Sequence, residues 1–188
     1  MPKSVTFDRD SVMENVMNLF WRKGYNGTSM QDLVDVTGLN RSSFYNSFGD
    51  KFSLFEEALK AYQKQQNELL QESFTHAKTP KQAIISLFKG ISDDISSGNQ
   101  KGCMFTSCTA ELGAENAQVR DFLVENKDKV VESFAMLIRK AQEQGEIDAR
   151  KDAGTVALFL FSSLQGLRLT SMIEPNLEAV TEEILGVL

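Results

Sequence analysis

The stretch that decides the fold is TSMQDLVDVTGLNRSSFYNSFGDKFSLF, residues 28–55. Thr28 or Ser29 can cap a helix start, because a side-chain oxygen there can accept a hydrogen bond from a backbone N–H of the first turn. Apolar residues then recur at helical spacing, and Gly38 can end the helix in the left-handed conformation. We therefore predict a short helix over residues 29–37.

A second helix follows at once. Leu39 is a single apolar residue in the turn, placed to fill the angle between two helices, and Asn40 is a good N-cap for a helix over residues 41–48. Phe44 and Phe48 lie four residues apart, so they share one face and can pack inward. The pattern predicts a helix-turn-helix.

The rest of this second helix carries hydrogen-bonding groups, on Arg41, Ser42, Ser43, Tyr45 and Asn46. Such a face suits phosphates and base edges. The plainer interpretation is an exposed polar face of a small helical domain, and any one of these residues taken singly would be ordinary. Their spacing favours contact with DNA.

The run from Gly38 to Lys51, GLNRSSFYNSFGDK, resembles the signature of the TetR family of transcriptional regulators. The run begins with a glycine, an apolar residue and a helix-capping residue. Two serines, a phenylalanine followed by a tyrosine, a second phenylalanine and a lysine come after them. The resemblance implies an all-α homodimer. Its N-terminal domains would read a palindromic operator, and its C-terminal domains would bind an effector.

The resemblance also implies roles for single residues. Thr28, Tyr45 and Lys51 are expected to hold phosphates, and Asn40 at the helix start belongs to the same surface. Arg41, Ser43 and Asn46 are better placed for base edges, with Ser42 beside them. Phe44 and Asn46 stand where family members often carry Leu and a variable residue, so the operator sequence is expected to be particular to this protein.

Apolar periodicity, caps and breaks predict about nine helices in all. The resemblance implies that they form an N-terminal helix-turn-helix DNA-binding domain (residues 1–50) and a C-terminal effector-binding and dimerisation domain (51–188). Residues 1–6 read as a loose arm and residues 98–102 as a polar loop. Besides the two helices above, we expect helices at about residues 8–23, 50–76, 80–97, 103–112, 116–144, 152–173 and 176–188. Residues 152–173 are apolar almost all round, which predicts burial on more than one side, as at a dimer seam that the last helix joins.

Composition limits the remaining options. The formal net charge is −6, but residues 1–51 hold six basic and six acidic residues, so the surplus of acid lies in the rest of the chain. That division leaves the N-terminal part free to approach a polyanion. The longest apolar run, residues 156–161, is far shorter than a membrane span, and no basic-then-apolar leader opens the chain, so we expect a cytoplasmic protein with no membrane partner.

The effector region has four candidate residues. Cys103 follows Gly102 at a predicted helix start and could be a thiolate sensor, as in family members with a Gly-Cys pair opening this helix; alternatively it is a small buried residue. Arg168, inside an apolar helix, could pair with an anionic ligand, pair with Glu111, or lie at the rim of the dimer seam. Phe105 and Phe134 are expected to form core, as are the other phenylalanines of this region, Phe88, Phe122, Phe159 and Phe161. Some of the six must line any cavity.

Two other functions fit the sequence less well. An enzyme is disfavoured because the single histidine, His76, allows no His-rich metal site and the chain has no glycine-rich phosphate loop; no cofactor is expected. A helical interaction module that no longer binds DNA would keep this fold, but the polar face at residues 41–46 argues against it.

Overall fold

The computed structural model describes residues 8–98 and 101–188, which form nine α-helices and no strand. The all-α prediction is confirmed, and the helix bounds agree with the predicted ones to within about a turn. The predicted arm at residues 1–6 lies outside the described residues, as do Asn99 and Gln100 of the predicted loop. The helices are α1 Arg9–Lys23, α2 Met30–Thr37, α3 Arg41–Phe48, α4 Lys51–Thr75, α5 Pro80–Ser96, α6 Met104–Leu112, α7 Ala117–Glu143, α8 Ala153–Thr170 and α9 Glu178–Leu185.

Local hydrogen bonds explain why the two helices of the helix-turn-helix begin and end where they do. Ser29, and not Thr28, is the N-cap of α2: its hydroxyl accepts the N–H of Asp32 at 3.1 Å, and the Asp32 carboxylate accepts the N–H of Ser29 at 2.8 Å. Gly38 ends α2 with φ 68°, a left-handed conformation that suits glycine. Asn40 then caps α3.

The chain divides into two compact units, the first ending at Gln65 and the second beginning at Gln66, so the boundary falls within α4. Aromatic side chains dominate the core of the first unit. Phe20 and Phe55 meet edge to face with ring centroids 5.0 Å apart, and Trp21 and Tyr62 do the same at 5.0 Å. Leu39 in the turn is buried as predicted, which fixes the angle between α2 and α3.

The second unit is built around α5, α7, α8 and α9. Phe88 of α5 and Phe134 of α7 are fully buried with centroids 6.3 Å apart, and Leu160 and Leu164 of α8 pack into the same core. This burial of apolar side chains is the main favourable term that holds the helices together.

Helix α8 buries only one side within the chain. Its opposite side exposes Leu158, Phe159 and Leu169, each between 44% and 54% accessible. Phe159 therefore departs from the expectation that it forms core, because it lies on the stripe that faces away from Leu160 and Leu164.

Within the described residues no helix has the length and hydropathy that a bilayer span requires.

We predict that Ser29→Ala will lower the free energy of unfolding of the first unit by about 0.5–2 kcal/mol, because it removes the cap of α2. Fluorescence of Trp21, the one tryptophan, follows that unit during urea unfolding. Ser42→Ala is the control, since Ser42 is an exposed α3 residue and no cap. Equal unfolding midpoints for the two variants would contradict the capping role.

Candidate functional site

Helix α3 has one buried face and one exposed face. Phe44 and Phe48 are 0% and 3% accessible, and their ring centroids lie 5.6 Å apart. The other face exposes Arg41, Ser42, Asn46 and Tyr45, whose side chain is 50% accessible. The two phenylalanines thus fix the helix by one side and leave a polar strip free on the other, as the sequence predicted.

The start of α3 is held by Asn40. Its Oδ1 accepts the N–H of Ser43 at 2.9 Å. Asn40 itself is exposed and Ser43 is half-buried, so both can reach a ligand at this end of the helix. The N-terminal end of a helix favours an anion such as phosphate, so the start of α3 suits a phosphate.

Lys51 opens α4, next to the Gly49-Asp50 break. Its Nζ lies 4.4 Å from the centroid of the Tyr25 ring, a cation–π contact that orients the ammonium group. Asp50 caps α4 by accepting the N–H of Ser53 at 2.7 Å, and this bond lowers the pKa of the Asp50 carboxyl. Burial, with a smaller effect of the Asp50 charge, raises the pKa of Tyr25.

Sequence reasoning missed Arg9, which ties three helices of the first unit together. Its guanidinium pairs with Glu57 of α4 at 2.7 Å, lies 5.0 Å from the centroid of the Phe48 ring, and approaches the carbonyl of Ser47 at 3.5 Å. A cation at the C-terminal end of α3 is favoured by the helix dipole. Arg9 is about forty residues away in sequence from these partners, so no local pattern could have indicated the contact.

A second link joins α1 to the start of α2. Lys23 Nζ lies 2.6 Å from the Asp32 carboxylate, which also accepts hydrogen bonds from Ser29. The bond from Lys23 is the largest cause of the lowered pKa of Asp32, followed by those from Ser29. The pair helps to set α2, and therefore α3, against α1.

Thr28 occupies a different environment from the other predicted DNA-binding residues. Its side chain is 1% accessible, and its hydroxyl donates to the carbonyl of Gly24 at 2.7 Å. In this conformation the side chain helps to shape the turn between α1 and α2. Its contact with phosphate stays a prediction, one that requires the hydroxyl to become accessible.

The second unit contains a cavity of about 490 Å³ between α6, α7 and α8. Its walls include Phe105 and Thr106 of α6 and Phe161 and Gln165 of α8. A role of Phe105 toward an effector stays a prediction. The volume lies within the range of small-molecule sites, about 300–1,000 Å³. The position of the cavity was not predicted, because the lining residues of α8 are separated by dozens of residues in sequence from those of α6 and α7.

The other predicted effector residues do not line this cavity. Phe134 is fully buried in the core of the second unit. Arg168 is half-buried in the last turn of α8, one turn beyond Gln165. Their roles toward an effector stay predictions.

Both cysteines are free thiols buried in the second unit. Cys103 precedes α6 and is 5% accessible, which corresponds to the plainer of its two interpretations. Burial, with a smaller contribution from the charge of Glu111, raises the pKa of Cys108 to about 12. Cys108 is therefore a neutral thiol at physiological pH, and the sensor role of Cys103 stays a prediction.

The family model described as "Bacterial regulatory proteins, tetR family" matches residues 13–58, and that described as "Tetracyclin repressor-like, C-terminal domain" matches residues 80–183. The HTH-type transcriptional repressor ComR of Escherichia coli (strain K12) is 28% identical over 183 residues, covering 94% of this chain and 85% of its own. The HTH-type regulator YezE of Bacillus subtilis (strain 168) is 24% identical, covering 98% and 96%.

A solved structure is also similar over almost the whole chain. It contains a cysteine-substituted variant of the TetR family transcriptional regulator CifR in complex with 26 bp double-strand operator DNA. Its TM-score is 0.86 at 26% identity, covering 99% of this chain and 98% of that one.

We predict that iodoacetamide at pH 8 will alkylate Cys108 at least about a hundredfold more slowly in the folded protein than in urea, because the thiolate is the nucleophile and the folded-state thiol stays protonated. Mass spectrometry of the modified peptide measures the rate, and a Cys103→Ser variant leaves Cys108 as the single reactive site. Alkylation of Cys108 at the same rate with and without urea would contradict the buried, neutral thiol.

Proposed function

Because this chain belongs to the TetR family of bacterial transcriptional regulators, we propose that it is a dimeric repressor that binds a palindromic operator and is released by a small-molecule effector. The family consists of DNA-binding regulators rather than enzymes. The observation that carries the proposal is the polar strip of α3, exposed because Phe44 and Phe48 hold the opposite side. A regulator of this kind works where the bacterial chromosome lies, in the cytoplasm.

For the DNA contact, α3 enters the major groove and the roles divide by chemistry. Arg41, Ser43 and Asn46 read base edges, since guanidinium, hydroxyl and amide groups can bond to bases. Tyr45, Lys51 and the capped start of α3 at Asn40 hold phosphates, and the Tyr25 ring beneath Lys51 directs its ammonium group. Two such helices reading a palindrome would enter successive grooves about 34–36 Å apart.

The dimer contact is assigned to the exposed side of α8 with α9. Leu158, Phe159 and Leu169 of α8 and Val180 of α9 are large, apolar and about half accessible. An exposed cluster of such residues marks an interaction surface, and a two-fold axis would let the same stripe cover its own copy. The exposed Gly166 lies between Phe159 and Leu169 on this stripe, and no atom lies within 4 Å of the position that a Cβ would take there. A glycine at that place allows two helices to approach closely.

Binding of the effector lowers the affinity for operator DNA, because the two binding equilibria are coupled. A hundredfold loss of operator affinity needs only about 2.7 kcal/mol of coupling free energy between the two ligands. Since the boundary between the units lies within α4, this helix is the covalent route by which an effector in the second unit acts on α3. Coupling is reciprocal, so operator DNA weakens effector binding by the same factor.

A reactive effector would instead act on Cys103. Unchanged DNA release by Cys103→Ser under electrophile treatment would exclude that route.

The DNA-binding proposal is tested by fluorescence anisotropy with the DNA upstream of the protein's own gene. We expect Asn46→Ala and Arg41→Ala to cost about 1–3 kcal/mol each and to relax preference at single base pairs, whereas Lys51→Ala weakens binding to all sequences and reduces the salt slope by about 1. Lys60→Ala is the control for charge, because Lys60 is an exposed cation further along α4. An unchanged operator preference in Asn46→Ala would contradict its role as a base reader.

The dimer is tested with Gly166→Leu, measured by sedimentation velocity. The open space at Gly166 means that leucine fits the protomer, and leucine favours a helix more than glycine does, so the fold is retained. We expect the variant to sediment as a monomer, because the side chain separates the paired helices. Gly90→Leu is the matched control, an exposed helical glycine on α5 that also has open space. A Gly166→Leu protein that stays dimeric would contradict this interface.

A further inference from the structure

We propose that the cavity between α6, α7 and α8 selects a small anionic amphiphile, a carboxylate with an apolar aromatic or aliphatic body. This inference rests on the proposed function, because it names the chemical class of the effector. The side chains that line the cavity all lie in the second unit.

One part of the cavity is apolar. Phe105 and Leu123 are buried, and Phe161 is half-buried. Phe105 is fixed by Phe122, whose ring centroid lies 6.0 Å away at an interplanar angle of 69°. Rings and a branched aliphatic chain favour a flat or branched hydrocarbon body, whose transfer from water is the main source of affinity.

Two cations line the same cavity, Arg120 and Lys127 of α7. They are seven residues apart, which is about two helical turns, so both lie on one face of α7. Among the described residues that line the cavity there is no Asp or Glu. A ligand in this cavity therefore meets a local positive charge, although the second unit as a whole is acidic.

The ion pairs of these cations leave them available to the cavity. Arg120 Nε lies 3.6 Å from the Asp121 carboxylate, and Lys127 Nζ lies 2.7 Å from that of Asp128. Each carboxylate belongs to the next residue, about 100° further around the helix. Asp121 and Asp128 line a different groove along α7. Such exposed pairs are weak, so a carboxylate ligand with a desolvated body can compete for the cations.

Hydrogen-bond donors complete the polar side of the cavity. The Thr106 hydroxyl donates to Oε1 of Gln165 across the cavity wall. Since Oε1 already accepts this bond, Gln165 offers its NH₂ group to a ligand. The Thr109 hydroxyl donates to the carbonyl of Phe105 at 2.8 Å, which keeps that side chain in place. Amide and cationic donors together suit a head group that only accepts hydrogen bonds, which is what a carboxylate is.

The same arrangement rejects other ligand classes. An amine of the same shape would bring a third positive charge beside Arg120 and Lys127, and like charges at short distance are unfavourable. A neutral amide would bury the same hydrocarbon body without the charge-assisted bonds to the two cations. A cavity that selects an anion therefore distinguishes isosteres of different charge, whereas a merely apolar cavity does not.

Isothermal titration calorimetry of the full-length protein with cinnamate, cinnamamide and cinnamylamine tests this selectivity. The three probes share one body and differ in charge. We expect cinnamate to bind once per protomer, cinnamamide at least about tenfold more weakly because it lacks charge-assisted bonds, and cinnamylamine not measurably. Cinnamamide binding as tightly as cinnamate, or no binding of cinnamate at millimolar concentration, would overturn the proposal.

Charge variants assign the selectivity to the two cations. Arg120→Gln and Lys127→Gln are each expected to weaken cinnamate binding about fivefold and to leave cinnamamide binding unchanged. The matched controls are Arg139→Gln and Lys129→Gln, which remove exposed, ion-paired cations of α7 that do not line the cavity. Equal effects of control and test variants would overturn the assignment.

A filling variant locates the bound probe. Ala110 is exposed on α6 and lines the cavity, so Ala110→Phe can fill the space without disturbing the core. We expect it to abolish cinnamate binding with an unchanged melting temperature; undiminished binding would place the probe elsewhere and overturn the proposal. Operator binding without any probe is measured in parallel, because its loss would count against the regulator and leave the cavity result standing.

Discussion

The burial of two phenylalanine rings decides what the first unit can do. Phe44 and Phe48 occupy one side of an eight-residue helix and insert into an aromatic core, so the opposite side has no freedom to turn inward. An isolated helix of this length would be marginal in water. Its order comes from the rings, from the Asn40 cap, and from the guanidinium of Arg9 at its far end. Presentation of a polar surface is therefore a consequence of packing.

Helix α8 carries more apolar surface than the second unit covers. The uncovered part lies on the side away from Leu160 and Leu164. The adjacent wall of the same helix supplies Phe161 and Gln165 to the cavity. One segment thus contributes to a core, to the wall of a cavity and to an exposed apolar surface.

The helices and the helix-turn-helix could be predicted from the sequence because both depend on local signals. Caps such as Ser29 and Asn40, the left-handed Gly38 and the spacing of Phe44 and Phe48 act over four residues or fewer, and a single sequence displays them. The cavity and the contact of Arg9 with Glu57 could not be predicted, because each joins segments separated by dozens of residues. The burial of Thr28 was missed for a related reason: its hydroxyl satisfies a carbonyl of the preceding turn, a choice that composition does not reveal.

The three roles of α8 limit how this protein can diverge. Gln165 lines the cavity, Gly166 lies on the exposed stripe, and Leu167 belongs to the core, so neighbouring codons serve different requirements. A substitution that changes the cavity at one of these three positions therefore risks altering the exposed stripe or the core as well. The walls contributed by α6 and the first half of α7 carry fewer such obligations. Directed evolution of the cavity should therefore randomise those walls and keep α8 constant.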